Sequence, residues 1–173
     1  IDVLLLSHAH MHHIDLPSLD SLEPGTFTVT ARATSDLLSG IGMKAVTELK
    51  WGEATTFHCA KGDLRVEAFQ VKHWGTRWPS SIDRGYNGYI LRREGKAILF
   101  GGDTAHTPLF SELKSRGPFE AGILPIGPYQ PYIRNHCTPE QAVELANQAG
   151  ARHIIPVHHQ TFRLSNEPVN EPF

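Results

Sequence analysis

The sequence predicts a mixed α/β domain, and three observations predict it. Short apolar runs of strand length recur along the chain. Two well-marked helices interrupt them in the last third, where strands and helices alternate most clearly. Polar side chains able to bind metal follow directly on several of the apolar runs. The 173 residues suit one domain with a proper core, and 40% hydrophobic with 20% charged residues is ordinary for a globular protein.

In order along the chain, Val3 to Leu6 reads as a buried strand that runs into a histidine-rich loop. Pro17 to Leu22 reads as a short helix closed by Pro24-Gly25, and Thr26 to Thr30 as a strand. Thr34 or Ser35 is placed to cap a short helix through Leu38 that Gly40 ends. Ala45 to Leu49 and Thr55 to Cys59 have strand character, and Leu64 to Val71 alternates, with Leu64, Val66, Ala68 and Gln70 on one side. Tyr86 to Arg92 and Lys96 to Phe100 predict a hairpin turning at Glu94-Gly95. Thr107-Pro108 opens a helix through Ser115, stopped by Gly117-Pro118. Thr138-Pro139-Glu140-Gln141 is a capping box with proline at the first helical position. Its helix carries Ala142, Val143, Leu145, Ala146 and Ala149 on an apolar face and ends at Gly150. Ala121 to Pro125 and His153 to Val157 read as buried strands.

Composition narrows the function classes. A net charge of −2 without a long basic run argues against nucleic-acid binding. No apolar stretch approaches the roughly 18 residues of a membrane span, and the N-terminus lacks a basic segment followed by an apolar one. Cys59 and Cys137 lack CxxC spacing, so two thiols in a reducing, cytoplasmic setting are expected, with a disulfide between them as the alternative. Ile1 leads straight into the strand-like run Asp2 to Leu6, which predicts that a further segment precedes it.

Ser7-His8-Ala9-His10-Met11-His12-His13 places four imidazoles within six residues, immediately after an apolar strand. The strand end fixes the backbone, and the loop can turn several side chains inward. Imidazole nitrogen suits zinc and its neighbours in the first transition row. A purification tag would be contiguous and terminal, whereas this cluster is interleaved behind a buried strand. Further polar groups follow in order: His73 in Val71-Lys72-His73-Trp74, Asp103 in Leu99-Phe100-Gly101-Gly102-Asp103-Thr104, His136 just before the capped helix, and His158 after Ile154-Ile155-Pro156-Val157. Singly, each has a structural reading: a core histidine, or an aspartate in a turn. Their order and their placement at strand ends point to one assembled site.

This series, His-x-His-x-x-His, then His, then Gly-Asp-Thr, then His, resembles the metallo-β-lactamase superfamily. The resemblance is closer to the branch of N-acylphosphatidylethanolamine-hydrolysing phospholipase D and the ascorbate-6-phosphate lactonase-like proteins. Val71 to Trp74, Phe100 to Thr104, Leu124 to Tyr129, His136 with Pro139 to Val143, and His158-His159-Gln160-Thr161-Phe162 carry it, across residues 2–168. It implies a four-layer αβ/βα sandwich lacking the fold's first strands, whose absence would expose apolar surface. It also implies two divalent metal ions, zinc first, with manganese or ferrous iron as alternatives. His8, His10 and His73 would hold one, His13 and His158 the other, and Asp103 would bridge them. His136 would face the substrate, against the alternative of a loop histidine bonded to the backbone. The implied activity is hydrolysis by a metal-activated water. A phosphodiester is the first expectation and a lactone the second, on a small-molecule or lipid ester.

One position departs from that pattern. The family motif is His-x-His-x-Asp-His, and the aspartate position is His12. Imidazole can still ligate, but it brings no negative charge. Three readings stay open: His12 as a working ligand, a one-metal enzyme, or a change that lowers activity. Asp15 matches a second acidic position after the motif and is not read as a ligand. A metal-binding homologue with little catalysis is the rival of another class, and an iron oxidoreductase is a second. Trp74, Trp78 and Tyr129 are expected in the core, with a pocket lining as the alternative.

Overall fold

The computed structural model describes residues 1–43, 45–161 and 163–172. Phe162, the last residue of the motif that begins at His158, lies outside them.

Three parallel strands, β1 (Val3–Leu5), β2 (Phe27–Ala31) and β3 (Ala45–Leu49), form the first sheet in that order. Six strands form the second: β4 (Ala54–Cys59), β5 (Gly62–Phe69), β6 (Gly88–Arg93), β7 (Lys96–Phe100), β8 (Ala121–Pro125) and β9 (Ile154–Val157). The pairs from β4 to β7 are antiparallel, and β7, β8 and β9 run parallel. Parallel pairing needs crossovers. Helix α2 (Leu109–Glu112), extended by a 3-10 turn at Leu113–Arg116, supplies one, and α3 (Pro139–Ala149) supplies the other.

Burial sorts these elements into four layers. Between the sheets lie Val29, Leu49, Phe57, Val66, Ala68 and Tyr89. Behind the larger sheet, Ile90, Leu99 and Leu124 pack on Phe110, Leu113 and Leu145 of the helical layer. Outside the smaller sheet, Leu6, Ile14, Leu19 and Leu38 form a third cluster around α1 (Leu16–Asp20) and the 3-10 turn Ser35–Leu38. This is the αβ/βα sandwich that the resemblance implied. The cover over the inner face of the larger sheet is uneven. Ala68, Tyr89, Phe100, Ile123 and Ile155 are paired in register across β5 to β9. The first two are fully buried, and Ile155 is 48% exposed.

The local predictions mostly hold, with informative shifts. The hairpin turns at Glu94 (φ 48°) and Gly95 (φ 74°), two left-handed residues in succession, a backbone that matches strand twist. The capping box at Thr138 is complete, and Gly150 (φ 76°) ends α3 in the left-handed conformation. Thr138→Ala is expected to lower stability by about 1 kcal/mol, read as a shifted urea midpoint at unchanged slope.

Three expectations are corrected. Val143 lies on the exposed side of α3. The alternating strand stops at Phe69, so Gln70 is outside it and His73 sits four residues beyond its end, in a loop. Thr34 makes no side-chain cap. The Glu48 carboxylate reaches across from β3 and accepts from the Ala33, Thr34 and Ser35 amides at 2.8–2.9 Å. Cys59 and Cys137 are free thiols, as expected, Cys137 buried and Cys59 half-buried.

Candidate metal centre

Each ligand-type side chain is placed by backbone that the sheets fix. Leu6 continues the β1 ladder by donating to Val29 O, and His8 makes a bridge to Tyr86 that joins the two sheets. The next turn closes where the His13 and Ile14 amides both donate to His10 O at 2.9 Å, which folds four imidazoles onto one spot. Asp103 follows β7 by three residues, and His158 follows β9 directly at φ 62°, a region that a non-glycine residue enters only when its surroundings hold it there. His136 closes a turn onto Tyr132 O just before α3. Asp15 caps α1 by accepting from the Ser18 amide, which accounts for it without a ligand role.

Gly102 lies beside the centre with φ 56°. A Cβ there would meet Ser7 Cβ at 2.7 Å and Asn87 O at 2.9 Å. Gly102→Ala is therefore expected to cost about 1–3 kcal/mol and to displace Asp103, visible as a lower melting temperature.

The side chains converge on one oxygen. Asp103 Oδ2 lies 3.1 Å from His13 Nε2, 3.5 Å from His158 Nε2, and 3.7 Å from both His8 Nε2 and His73 Nε2. Two groups share that carboxylate: His8, His10, His73 with Asp103, and His12, His13, His158 with Asp103. Within each, the candidate ligand atoms lie within 4.8 Å of one another. His136 belongs to neither, yet its ring lies 5.0 Å from His73 and 5.6 Å from His158.

The ring orientations are set from outside. His73 Nδ1 donates to Asn135 O at 2.8 Å, His158 Nδ1 donates to Gly127 O at 2.9 Å, and His8 Nδ1 is hydrogen-bonded to Ser7 Oγ at 2.9 Å. A ring that donates through Nδ1 turns an unprotonated Nε2 toward the centre when neutral. Sequence reading missed these partners because two of the three are main-chain carbonyls, which every residue has.

A cation fits this arrangement. Among the described residues, His10 Nε2 and His73 Nε2 are buried without a hydrogen-bond partner, and Asp103 Oδ2 has only His13 Nε2 beside it at 3.1 Å. Acceptors turned on one another around a buried carboxylate are costly unless something positive lies between them. Protonation states agree. Burial, followed by the charges of neighbouring imidazoles, pushes His10 down to about 3 and His12 down to about 4. Burial also pushes His73 down to about 4 and lowers His8 and His136. For Asp103, burial pushes the carboxyl up, but the neighbouring His13, with His158 and His8, outweighs it and keeps the group well below the usual carboxylate range. Neutral imidazoles around an ionised carboxylate are the forms that metals bind.

These shifts have a sign. The unfolded histidines take up protons below about pH 6.5, while buried His73 in the folded protein resists until about pH 4. Its contribution is full above pH 6.5 and falls as pH drops through that window, by up to about 1.4 kcal/mol per pH unit. Chelator-treated protein is expected to melt at progressively lower temperature from pH 6.5 to 4, with a shallower slope in His73→Gln.

Next to the centre is a cavity of about 380 Å³ bordered by His10, His12, His136 and His158. Met11, Trp74, Trp78, Tyr132 and Leu164 give it an apolar wall, and Arg77 gives it a cation. Trp78 is 81% exposed, so Trp74 and Trp78 are rim residues rather than core, whereas Tyr129 is buried with its hydroxyl on Glu171. His58 and His153 are on the surface, and His106 pairs with Glu144 at 3.0 Å.

The model of the beta-lactamase superfamily domain matches residues 1–159. An uncharacterized protein of Mycobacterium tuberculosis is 29% identical over 99% of this chain, which spans 48% of that protein's length. The mitochondrial N-acyl-phosphatidylethanolamine-hydrolyzing phospholipase D of Saccharomyces cerevisiae is 30% identical over 99% of this chain and 39% of its own. A solved metallo hydrolase of the archaeon Ignicoccus hospitalis superimposes with a TM-score of 0.71 at 19% identity, over 93% of this chain and 65% of that one, and has the same fold. Among the described residues, no helix is long and apolar enough to cross a membrane.

Proposed function

The chain belongs to the β-lactamase superfamily, and from that membership we propose that it is a two-metal hydrolase of phosphodiesters that carry an apolar group. One observation carries this reading: two groups of ligand-type atoms share a single buried carboxylate oxygen, Asp103 Oδ2. His8, His10, His73 and Asp103 would hold one ion, and His12, His13, His158 and Asp103 the other. So many imidazoles favour zinc over harder cations. When bound, such ions supply Lewis acidity and make water nucleophilic near neutral pH.

The protein's own groups do the rest. Asp103 supplies the one negative charge shared by both ligand groups. Asn135 O and Gly127 O hold His73 and His158 in the tautomer that turns Nε2 inward. His136, whose burial favours the neutral imidazole, borders the cavity and would hydrogen-bond a substrate oxygen there. The apolar wall from Met11 to Leu164 receives the substituent and excludes water from it. Water adds to phosphorus, the bond to the leaving oxygen breaks, and a phosphomonoester and an alcohol result. The similarity to a protein named as a phospholipase D supports a phosphodiester over a lactone, which is the second choice.

His12 favours one rival, a metal-binding homologue with little turnover. Elemental analysis of purified protein, with hydrolysis of bis-(p-nitrophenyl) phosphate before and after chelation, separates the two. Two zinc-type ions per chain and chelator-sensitive turnover are expected. Bound metal with no turnover on phosphodiesters or lactones would instead establish the rival.

A further inference from the structure

We propose that Arg77 is a positioning residue that fastens the histidine-rich loop to the loop carrying His73, and so sets the metal affinity of the groups to which His10, His12, His13 and His73 belong. The inference deepens the two-metal reading and rests on it.

A single nitrogen carries the connection. Arg77 Nη1 donates to Ala9 O at 2.9 Å and to Ile14 O at 3.0 Å. These carbonyls stand at the two ends of the turn that holds His10, His12 and His13. Both residues are fully buried. Inside the turn, the His13 and Ile14 amides close onto His10 O. The guanidinium thus braces the outside of a turn whose inside is already tied.

Arg77 lies four residues beyond His73, whose own ring is fastened to Asn135 O. The ligands on the two loops are thereby tied to one another through short stretches of chain. Charge-assisted hydrogen bonds of this kind are about twice as strong as neutral ones, and loss of a partner outside the ligand set commonly weakens metal binding about 10–100-fold.

The charge argues in the same direction. A guanidinium beside two cation sites repels the cations, so attraction to metal does not explain its place. Two explanations are left: support of the loop, or capture of an anionic substrate in the cavity that Arg77 borders. They predict different outcomes. Support acts on metal affinity with no substrate present, and capture acts on KM alone.

The test is zinc titration of chelator-stripped wild type, Arg77→Met and Arg77→Lys against a competing chelator, followed by steady-state kinetics at saturating zinc. Arg77→Met is expected to bind zinc about 10–100-fold more weakly, with KM near wild type. Guanidinium at a sub-denaturing concentration should recover part of the lost affinity, and Arg77→Lys should fall between. If Arg77→Met does not fold, Arg77→Lys with its smaller shift decides. Unchanged zinc affinity in a folded variant, with or without a raised KM, overturns the inference. Absence of zinc binding by the wild type would instead overturn the two-metal reading itself.

Discussion

Asp103→Asn is expected to remove metal binding and turnover while leaving the metal-free protein as stable as the wild type or more so. The carboxylate is 2% exposed, and among the described residues only His13 Nε2, at 3.1 Å, is close enough to its Oδ2 to donate to it. His73 and His158 donate through Nδ1 to main-chain carbonyls, and in that tautomer their Nε2 lone pairs face that oxygen from 3.7 and 3.5 Å. From those two rings acceptor faces acceptor, and His13 is the one imidazole left close enough to offset the buried charge. Asparagine has almost the same shape, removes the charge, and offers an N–H to those lone pairs. Relief of one unsatisfied buried group is worth about 1–3 kcal/mol, so metal-free Asp103→Asn at pH 8 should melt at or above the wild-type temperature. With zinc the order reverses, because only the wild type gains the stabilisation of a bound ligand. Turnover should fall by at least about 10²–10³-fold, the loss typical of one essential electrostatic group. Calorimetry with and without zinc reads all of this. A variant that is much less stable without metal would make Asp103 a structural residue and remove the main support for the shared-ion reading.

His12→Asp should strengthen the second group and raise turnover. His12, at the exposed mouth of the centre, joins His13, His158 and Asp103 there, with its ring 4.4 Å from His13 and 5.4 Å from His158. That group has one carboxylate, and it is shared with the first group. A second carboxylate adds Coulomb attraction for a dication and a hard oxygen ligand. Charge count is a principal lever on cation affinity, so the second equivalent should bind about 10–100-fold more tightly, or about 1.4–2.8 kcal/mol. Selectivity should widen from zinc toward manganese. Competition titrations with both metals, together with phosphodiester turnover, make the comparison. Weaker second-site binding in His12→Asp would mean that the imidazole is the better ligand at this position.

What was legible in the sequence had either a local signature or a fixed order. The Thr138 capping box, the Glu94-Gly95 turn and the alternation of Leu64, Val66 and Ala68 are short-range patterns, and each formed close to where it was read. The histidine and aspartate series was legible for another reason. Ligand-type residues that recur after apolar runs fall at one end of the sheets, and the structure brings His8, His10, His12, His13, His73, Asp103 and His158 into two adjoining groups, with His136 beside them. Val143, Trp74 and Trp78 are more exposed than their apolar character predicts. Apolar character marks what a side chain can bury, while neighbouring elements determine what is covered.

By itself, then, the sequence determined the mixed α/β character, the strong helix and hairpin signals and the identity of the candidate ligands, because periodicity, capping and side-chain chemistry are written residue by residue, and the layer architecture followed from the resemblance those residues carry. Only the tertiary structure decided how those ligands are aimed. His73 finds its acceptor 62 residues away and His158 finds its own 31 residues away, both in main-chain carbonyls. Arg77 reaches two more carbonyls across 68 and 63 residues. A carbonyl belongs to every residue alike, so its use as a partner leaves no mark in the sequence and appears only when the chain has folded.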